Sequence, residues 1–387
     1  MDFRKPKSVF HCISSRELNS FPVRKRPATV FNEIGAIDAR YISDADLWYV
    51  PCALSFSKSI KHSYDLAVAD DDGYVHLFNT RSRSMIDEWR PHEDTILDVC
   101  WLKEDTRIVT ASCDETVKVW DVEQKACLRE LTEHEDTVET ICSHPTSDDI
   151  IVSGSSDGSF CLWDLRCNSI TVKGNAHRHV KYGQVEAMKI TSVLWLKDQV
   201  SIATGGSKDS VPKIWDIRYL NLDVSPIGPL PQPAGQQRLE GITSLSQDDR
   251  GVLLSASCKD SRYPSNPIFY FCESSHGLER THTQQNFKLL LPCRIYLYNT
   301  LQLERGPLRS YEAGSLRSYV KAAISPDALN IASGSEEGNI YISKVNNPQE
   351  QPTILFPSED ENVSLVDWSF SEFGKLATAG ENIVSKM

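Results

Sequence analysis

This sequence holds no run of eighteen apolar residues, so no segment is expected to cross a membrane as a helix. Its start, Met1-Asp2-Phe3-Arg4-Lys5, leads into no apolar stretch and does not fit a secretory signal. An intracellular protein is the expectation. There are 11 cysteines but no C-x-x-C pair, and without clustered ligands no metal site is expected. Most of them lie inside apolar runs such as Leu97–Trp101 and Phe160–Trp163, and are read as small buried hydrophobes. Positive charge is in deficit. The formal net charge of −12 argues against broad phosphate-driven nucleic-acid binding but leaves a local basic patch open, and no direct sequence-specific nucleic-acid binding is expected. Catalytic signatures are missing as well: no G-x-S-x-G, no Walker loop, no H-E-x-x-H and no Gly-rich dinucleotide turn. Neither an enzyme nor a cofactor is expected. Helical periodicity is absent too.

What the chain does contain is repetition. The best copy runs from His92 to Asp121, with strands at Thr95–Leu102, Arg107–Cys113 and Val117–Asp121. The next runs from His134 to Asp164, with Thr137–Cys142, Ile150–Ser155 and Ser159–Asp164 in the same roles. Weaker copies occupy Cys52–Asn79, Thr191–Asp216, a stretch from Gly241, Tyr319–Val345 and a stretch from Val363. The closing aromatics Phe78, Trp120 and Trp163 are 42 and 43 residues apart, the period of WD40 repeats. The fold class expected is therefore all-β: a seven-bladed WD40 β-propeller over residues 46–387, with a disordered basic N-terminal tail over residues 1–45. The last blade is expected to be incomplete, because Glu381–Met387 lacks the Trp-Asp ending and a fourth strand. Residues 28–50 are the candidate for a strand that closes the ring.

His92 with Asp114, and His134 with Asp157, fit buried hydrogen bonding within blades, extended by Trp120 and Trp163. These pairs recur once per blade, as an active site does not, and are read as structural. In the tail, Arg24, Lys25 and Arg26 form a nuclear-import candidate, against the plainer reading of a solvated basic run.

The fifth repeat is interrupted. Its second strand ends Ser255-Ala256-Ser257-Cys258, and the matching third strand, Ile295–Asn299, arrives late. Removing residues 262–293 brings the spacing of the closing aromatics to within one residue of that between Trp163 and Trp215. Both borders can encode splice signals, so this segment is read as a retained intron or gene-model error. The alternative is a true loop insertion between adjacent strands.

Two consecutive repeats end alike, in Trp163-Asp164-Leu165-Arg166 and Trp215-Asp216-Ile217-Arg218. Trp and Asp serve the repeat itself. The arginine does not, and it sits just past the third strand, on one rim of the ring. Its planar fork suits pairing with carboxylates or backbone carbonyls.

Paired WD-x-Arg endings resemble the box of cullin-4-associated WD-repeat receptors. Further matches narrow this to a resemblance to the denticleless family. They are Leu66-Ala67-Val68-Ala69 with Asp72-Gly73-Tyr74-Val75, Val109-Thr110-Ala111 with Val117–Asp121, Arg166-Cys167-Asn168 after the first box, and Tyr319-Val320-Lys321 with Ile324-Ser325-Pro326-Asp327. The resemblance covers about residues 51–261 and 294–380. It implies a substrate receptor of a cullin-4 RING ubiquitin ligase in the nucleus. Trp163, Asp164, Arg166, Trp215, Asp216 and Arg218 would meet the damaged-DNA-binding adaptor, and degron-bearing proteins on PCNA would be the substrates. Asp70, Asp71 and Asp72, or Glu336 and Glu337, are candidates for meeting a basic degron, with solvated turns as the plainer reading. The long polar C-terminal extension of many family members is absent from this sequence. The other readings are a generic WD-repeat scaffold in a nuclear complex and an enzyme built on a propeller; the latter lacks any convergent polar set.

Overall fold

The computed structural model describes residues 34–37 and 50–386, except 60–61, 63, 83, 168–169, 182–183, 210, 220–238, 261–290, 317–319, 336–337, 356–362, 371–373 and 381–382. Arg24, Lys25, Arg26 and residues 262–290 of the interrupting segment lie outside the described residues. So do Asn168, Tyr319, Glu336 and Glu337.

A short strand, β1 (Ile34–Ile37), comes first. Six antiparallel sheets follow in chain order. The first sheet is β2 (Pro51–Phe56), β3 (Asp65–Asp70), β4 (Val75–Asn79) and β5 (Ser84–Trp89). The second is β6 (Ile96–Trp101), β7 (Arg107–Ser112), β8 (Val117–Asp121) and β9 (Ala126–Leu131). The third is β10 (Val138–Ser143), β11 (Ile150–Ser155), β12 (Ser159–Asp164) and β13 (Ile170–Asn175). A two-stranded hairpin, β14 (Arg178–Lys181) and β15 (Gln184–Ala187), precedes the three-stranded fourth sheet, β16 (Ile190–Trp195), β17 (Ser201–Gly206) and β18 (Lys213–Asp216). The fifth sheet is β19 (Leu239–Gln247), β20 (Leu253–Asp260), β21 (Leu291–Asn299) and β22 (Pro307–Leu316). The sixth is β23 (Ala322–Ile324), β24 (Asn330–Ser333), β25 (Ile340–Lys344) and β26 (Thr353–Leu355). A further sheet holds β27 (Val363–Trp368), β28 (Leu376–Gly380) and β29 (Ile383–Lys386), with β1 outside β29. The chain is an all-β WD40 propeller. Among the described residues no helix is long and apolar enough to cross a membrane.

Burial follows the stacking of sheets. Second strands such as β7 and β17 are buried along almost their whole length, because neighbouring sheets cover both faces. The fourth strand β9 is mostly exposed on the outside. The core therefore lies between sheets. Val109, Ala111 and Val119 of the second sheet pack with Val138, Ile141 and Trp163 of the third. Ala203 and Ile214 of the fourth pack with Ile242 and Leu254 of the fifth.

Polar side chains of the inner strands stitch each seam. Asp98 accepts from Ile141 N at 2.9 Å, Thr140 from Val193 N at 3.3 Å and Ser192 from Leu245 N at 3.0 Å. Ser244 continues the series, accepting from Ala322 N at 2.9 Å. Asp367 of β27 accepts from Phe56 N of β2 at 2.8 Å, so the last sheet meets the first. Leu54, Phe56 and Leu66 pack there against Leu365 and Ala377. Gly334 is required where the sixth sheet meets β27, since a Cβ on it would come within 2.2 Å of Val363 O.

Two sequence expectations change. The last sheet is not short of a strand: residues 383–386 pair with β28, and β1 supplies the outer strand in register Ile34↔Lys386 to Ile37↔Ile383. Backbone pairing needs only donors and acceptors, which a segment without Trp-Asp provides. Two cysteines are also misjudged. Cys100, Cys161, Cys258 and Cys293 are buried, but Cys127 and Cys167 are exposed, on an outer strand and a rim turn. Around the interruption, β20 and β21 pair as adjacent strands, with Lys259 opposite Cys293. Residues 291–293, placed by sequence within the interrupting segment, thus belong to β21.

Candidate docking site on the propeller rim

Trp163 and Trp215 sit at the ends of third strands and are 2% exposed. Each anchors a chain of hydrogen bonds through its sheet. Trp215 Nε1 donates to Thr204 Oγ1 at 2.8 Å, which lies 2.8 Å from His177 Nε2, while His177 Nδ1 meets Asp209. In the third sheet the same order runs Trp163 to Ser153 at 2.8 Å, Ser153 to His134 at 2.7 Å and His134 to Asp157 at 3.4 Å. An ionised carboxylate can only accept and an indole N–H can only donate, so with a neutral imidazole the order of protons follows. The hydroxyl accepts from Trp and donates to His Nε2, and His Nδ1–H donates to the carboxylate. Burial lowers the His177 pKa, which favours the neutral ring this order requires. Burial opposes the Asp157 carboxylate, but hydrogen bonds from His134 and Ser159 outweigh it and hold it well below the usual range.

In the second sheet His92 bonds Asp114 at 2.7 Å and Thr110 at 2.7 Å. Trp120 was expected to extend this chain and does not: its Nε1 is buried without a hydrogen-bond partner. Sequence reading missed His177 and Asp209. His92 and His134 each stand four residues before the first inner-strand residue, Ile96 and Val138. The hairpin β14–β15 separates His177 from β16 and hides that spacing.

Past each Trp, the Asp shapes the rim. Asp164 Oδ1 accepts from Arg166 N at 3.0 Å, and Asp216 Oδ1 from Arg218 N at 3.0 Å. These are Asx turns, which fix the backbone two residues on. The same carboxylates then hold the guanidinium. Arg166 Nε donates to Asp164 Oδ1 at 2.8 Å and Nη2 to Asp164 Oδ2 at 2.6 Å. Arg218 Nε donates to Asp216 Oδ1 at 2.9 Å, and its Nη2 to Asp216 Oδ2. The Arg166 hydrogen bonds hold the Asp164 carboxyl down at about 2, and those of Arg218 lower Asp216 likewise. Both arginines remain largely outside, 66% and 61% exposed. Ion pairs this exposed add little to stability. Their effect is orientation: two planar cations held at matching places on adjacent sheets, on one rim. A polar groove lined by Lys103, Glu104, Arg107, Asp148 and Asp149 adjoins the Arg166 turn, joined where Leu165 N donates to Asp149 O at 2.7 Å.

The turn recurs where the sequence shows no Trp-Asp. Asn79 accepts from Arg81 N at 3.0 Å after Phe78, so Arg81 holds the equivalent place in the first sheet. Its guanidinium lies over the Tyr64 ring, 5.1 Å from the centroid. On the opposite rim, Asp70 is buried. It accepts from Tyr74 N at 2.8 Å and meets His76 Nε2 at 2.7 Å, so it serves its own turn and is not available to a basic peptide. Asp71 and Asp72 are exposed. Gly73, at φ +85°, completes that turn; a Cβ there would meet His92 O at 2.3 Å.

Comparison with known proteins matches the WD domain, G-beta repeat, at residues 83–121 and 125–164. A denticleless protein homolog of Gallus gallus is 28% identical over 366 residues, covering 86% of this chain and 46% of that protein. The homolog of Homo sapiens is 26% identical over 372 residues, covering 87% and 46%, and that of Danio rerio 25% over 358 residues, covering 86% and 50%. The chain thus spans about half the length of the curated relatives it matches. Stacked sheets and matched WD repeats show a WD-repeat propeller, and along most of its length the chain is similar to denticleless proteins.

Proposed function

We propose that this chain is the propeller of a substrate receptor of a nuclear cullin-4 RING ubiquitin ligase. The rim with Arg166 and Arg218 docks on the damaged-DNA-binding adaptor, and PCNA-associated, replication-linked proteins are presented from elsewhere on the ring. The observation that carries the reading is the pair of bidentate Asp–Arg turns on adjacent sheets, which display two exposed guanidinium groups in fixed planes. Arginine so oriented is suited to pairing with carboxylates and carbonyls and is frequent among interface hot spots. In this reading the ring has seven blades, the seventh made of β27, β28, β29 and β1. The contact of Asp367 with Phe56 supports that count.

The test is co-purification of the adaptor with the full chain from cells. The wild-type chain is predicted to bring down the adaptor and cullin, and the Arg166→Ala, Arg218→Ala double variant to lose most of both. Undiminished recovery with the folded double variant contradicts the reading, as a scaffold docking by another surface would give.

A further inference from the structure

The turn that carries Arg218 is repeated one sheet further on, with a different side chain at its tip. Tyr298 pairs with Leu254 as Trp215 pairs with Ile202. Asn299 Oδ1 accepts from Leu301 N at 2.9 Å, as Asp216 Oδ1 accepts from Arg218 N at 3.0 Å. Both turns run on into a short 3-10 segment, Ile217–Tyr219 and Thr300–Arg305. Leu301 therefore stands where Arg218 stands, on the neighbouring sheet and the same rim. It is 79% exposed, the most of any large hydrophobic side chain described. Val252, 36% exposed, lies in the adjoining loop, and its carbonyl accepts from Thr300 N at 3.0 Å.

On the other side of the arginines, the turn after Asp121 presents an exposed Glu123. The rim thus reads Glu123, Arg166, Arg218, Leu301 over four consecutive sheets. An edge offering carboxylates and carbonyls to the arginines would be repelled by Glu123, and it could bury Leu301. Single exposed leucines are common, but this one occupies the position that the neighbouring sheets give to the docking cations.

We propose that the docking edge continues onto the fifth sheet, where Leu301, flanked by Val252, is the apolar anchor for the partner that the two arginines engage. The partner edge is then acidic or carbonyl-rich where it meets the third and fourth sheets and apolar where it meets the fifth. This rests on the reading of Arg166 and Arg218 as docking residues.

The experiment measures the affinity of the purified full chain for the purified damaged-DNA-binding adaptor. Leu301→Asp is expected to weaken binding about tenfold or more. Leu301→Met is expected to stay within about twofold, and Glu123→Gln to weaken nothing. Unfolding temperatures of all variants should match the wild type, because these side chains are exposed. Loss of binding in the arginine double variant with full binding by Leu301→Asp overturns this inference and leaves the arginine reading standing. Full binding by both variants, or no binding by the wild type, overturns both. Self-association of the chain that Leu301→Asp abolishes overturns it too, by making a second copy the occupant.

Discussion

At the scale of single residues, two kinds of polar group divide the work. Buried Thr204 and Ser153 join Trp and His inside their sheets, whereas Asp164 and Asp216 hold cations outside. Thr204→Val keeps the side-chain shape and removes the hydroxyl. It strands the Trp215 N–H and His177 Nε2 in the interior. A destabilisation of about 1–3 kcal/mol is predicted, read from the denaturation midpoint; an unchanged midpoint would show the chain of hydrogen bonds to be idle. The arginine pair was legible from sequence because Trp-Asp-x-Arg is four adjacent residues. Leu301 and Arg81 were not, because Tyr-Asn and Phe-Asn make the same turn without the WD signature. The exchange works because Asn and Asp offer the same acceptor to the backbone.

At the scale of elements, the seam between β27 and β2 holds the most perturbed inner-strand acid described. Burial pushes the Asp367 carboxyl up to about 6, against hydrogen bonds from Phe56 and Trp368 and the facing cations Lys321 and Lys58. With the folded pKa raised, the contribution of this group is complete below the unfolded value and is lost as pH rises through the folded one. Asp367→Asn keeps an acceptor for Phe56 N–H and does not titrate. Relative to wild type, it is predicted to gain about 2 kcal/mol of stability between pH 4.5 and 7.5. A difference between the two proteins that stays constant across that range would contradict the assignment. The strands themselves were legible, since period-2 patterns and the repeat length lie within each segment. The hairpin β14–β15 and the strand β29 were not, and for β1 the sequence offered only residues 28–50 as a candidate closing strand. Their partners are chosen by sheet edges formed far away in the chain, which no local pattern records.

At the scale of the whole molecule, a ring of stacked sheets separates two rims. One bears Arg166 and Arg218 in their Asx turns. The other bears the turns with Asp114, Asp157 and Asp209, where the buried hydrogen-bond chains end. Repetition in the sequence announced the ring, but how it joins depends on Asp367 meeting Phe56, 311 residues apart. The charge of −12 belongs to the chain as a whole, and on this rim each arginine is paired with its own aspartate. A partner seated on that rim should cover one set of turns and leave the other open. The most direct measurement is backbone hydrogen exchange of the full chain with and without the adaptor. The account predicts slowed exchange in the turns at 164–167, 216–219 and 299–303, with no change at 113–116 and 156–158. Protection confined to the opposite rim, or none on either, would contradict it.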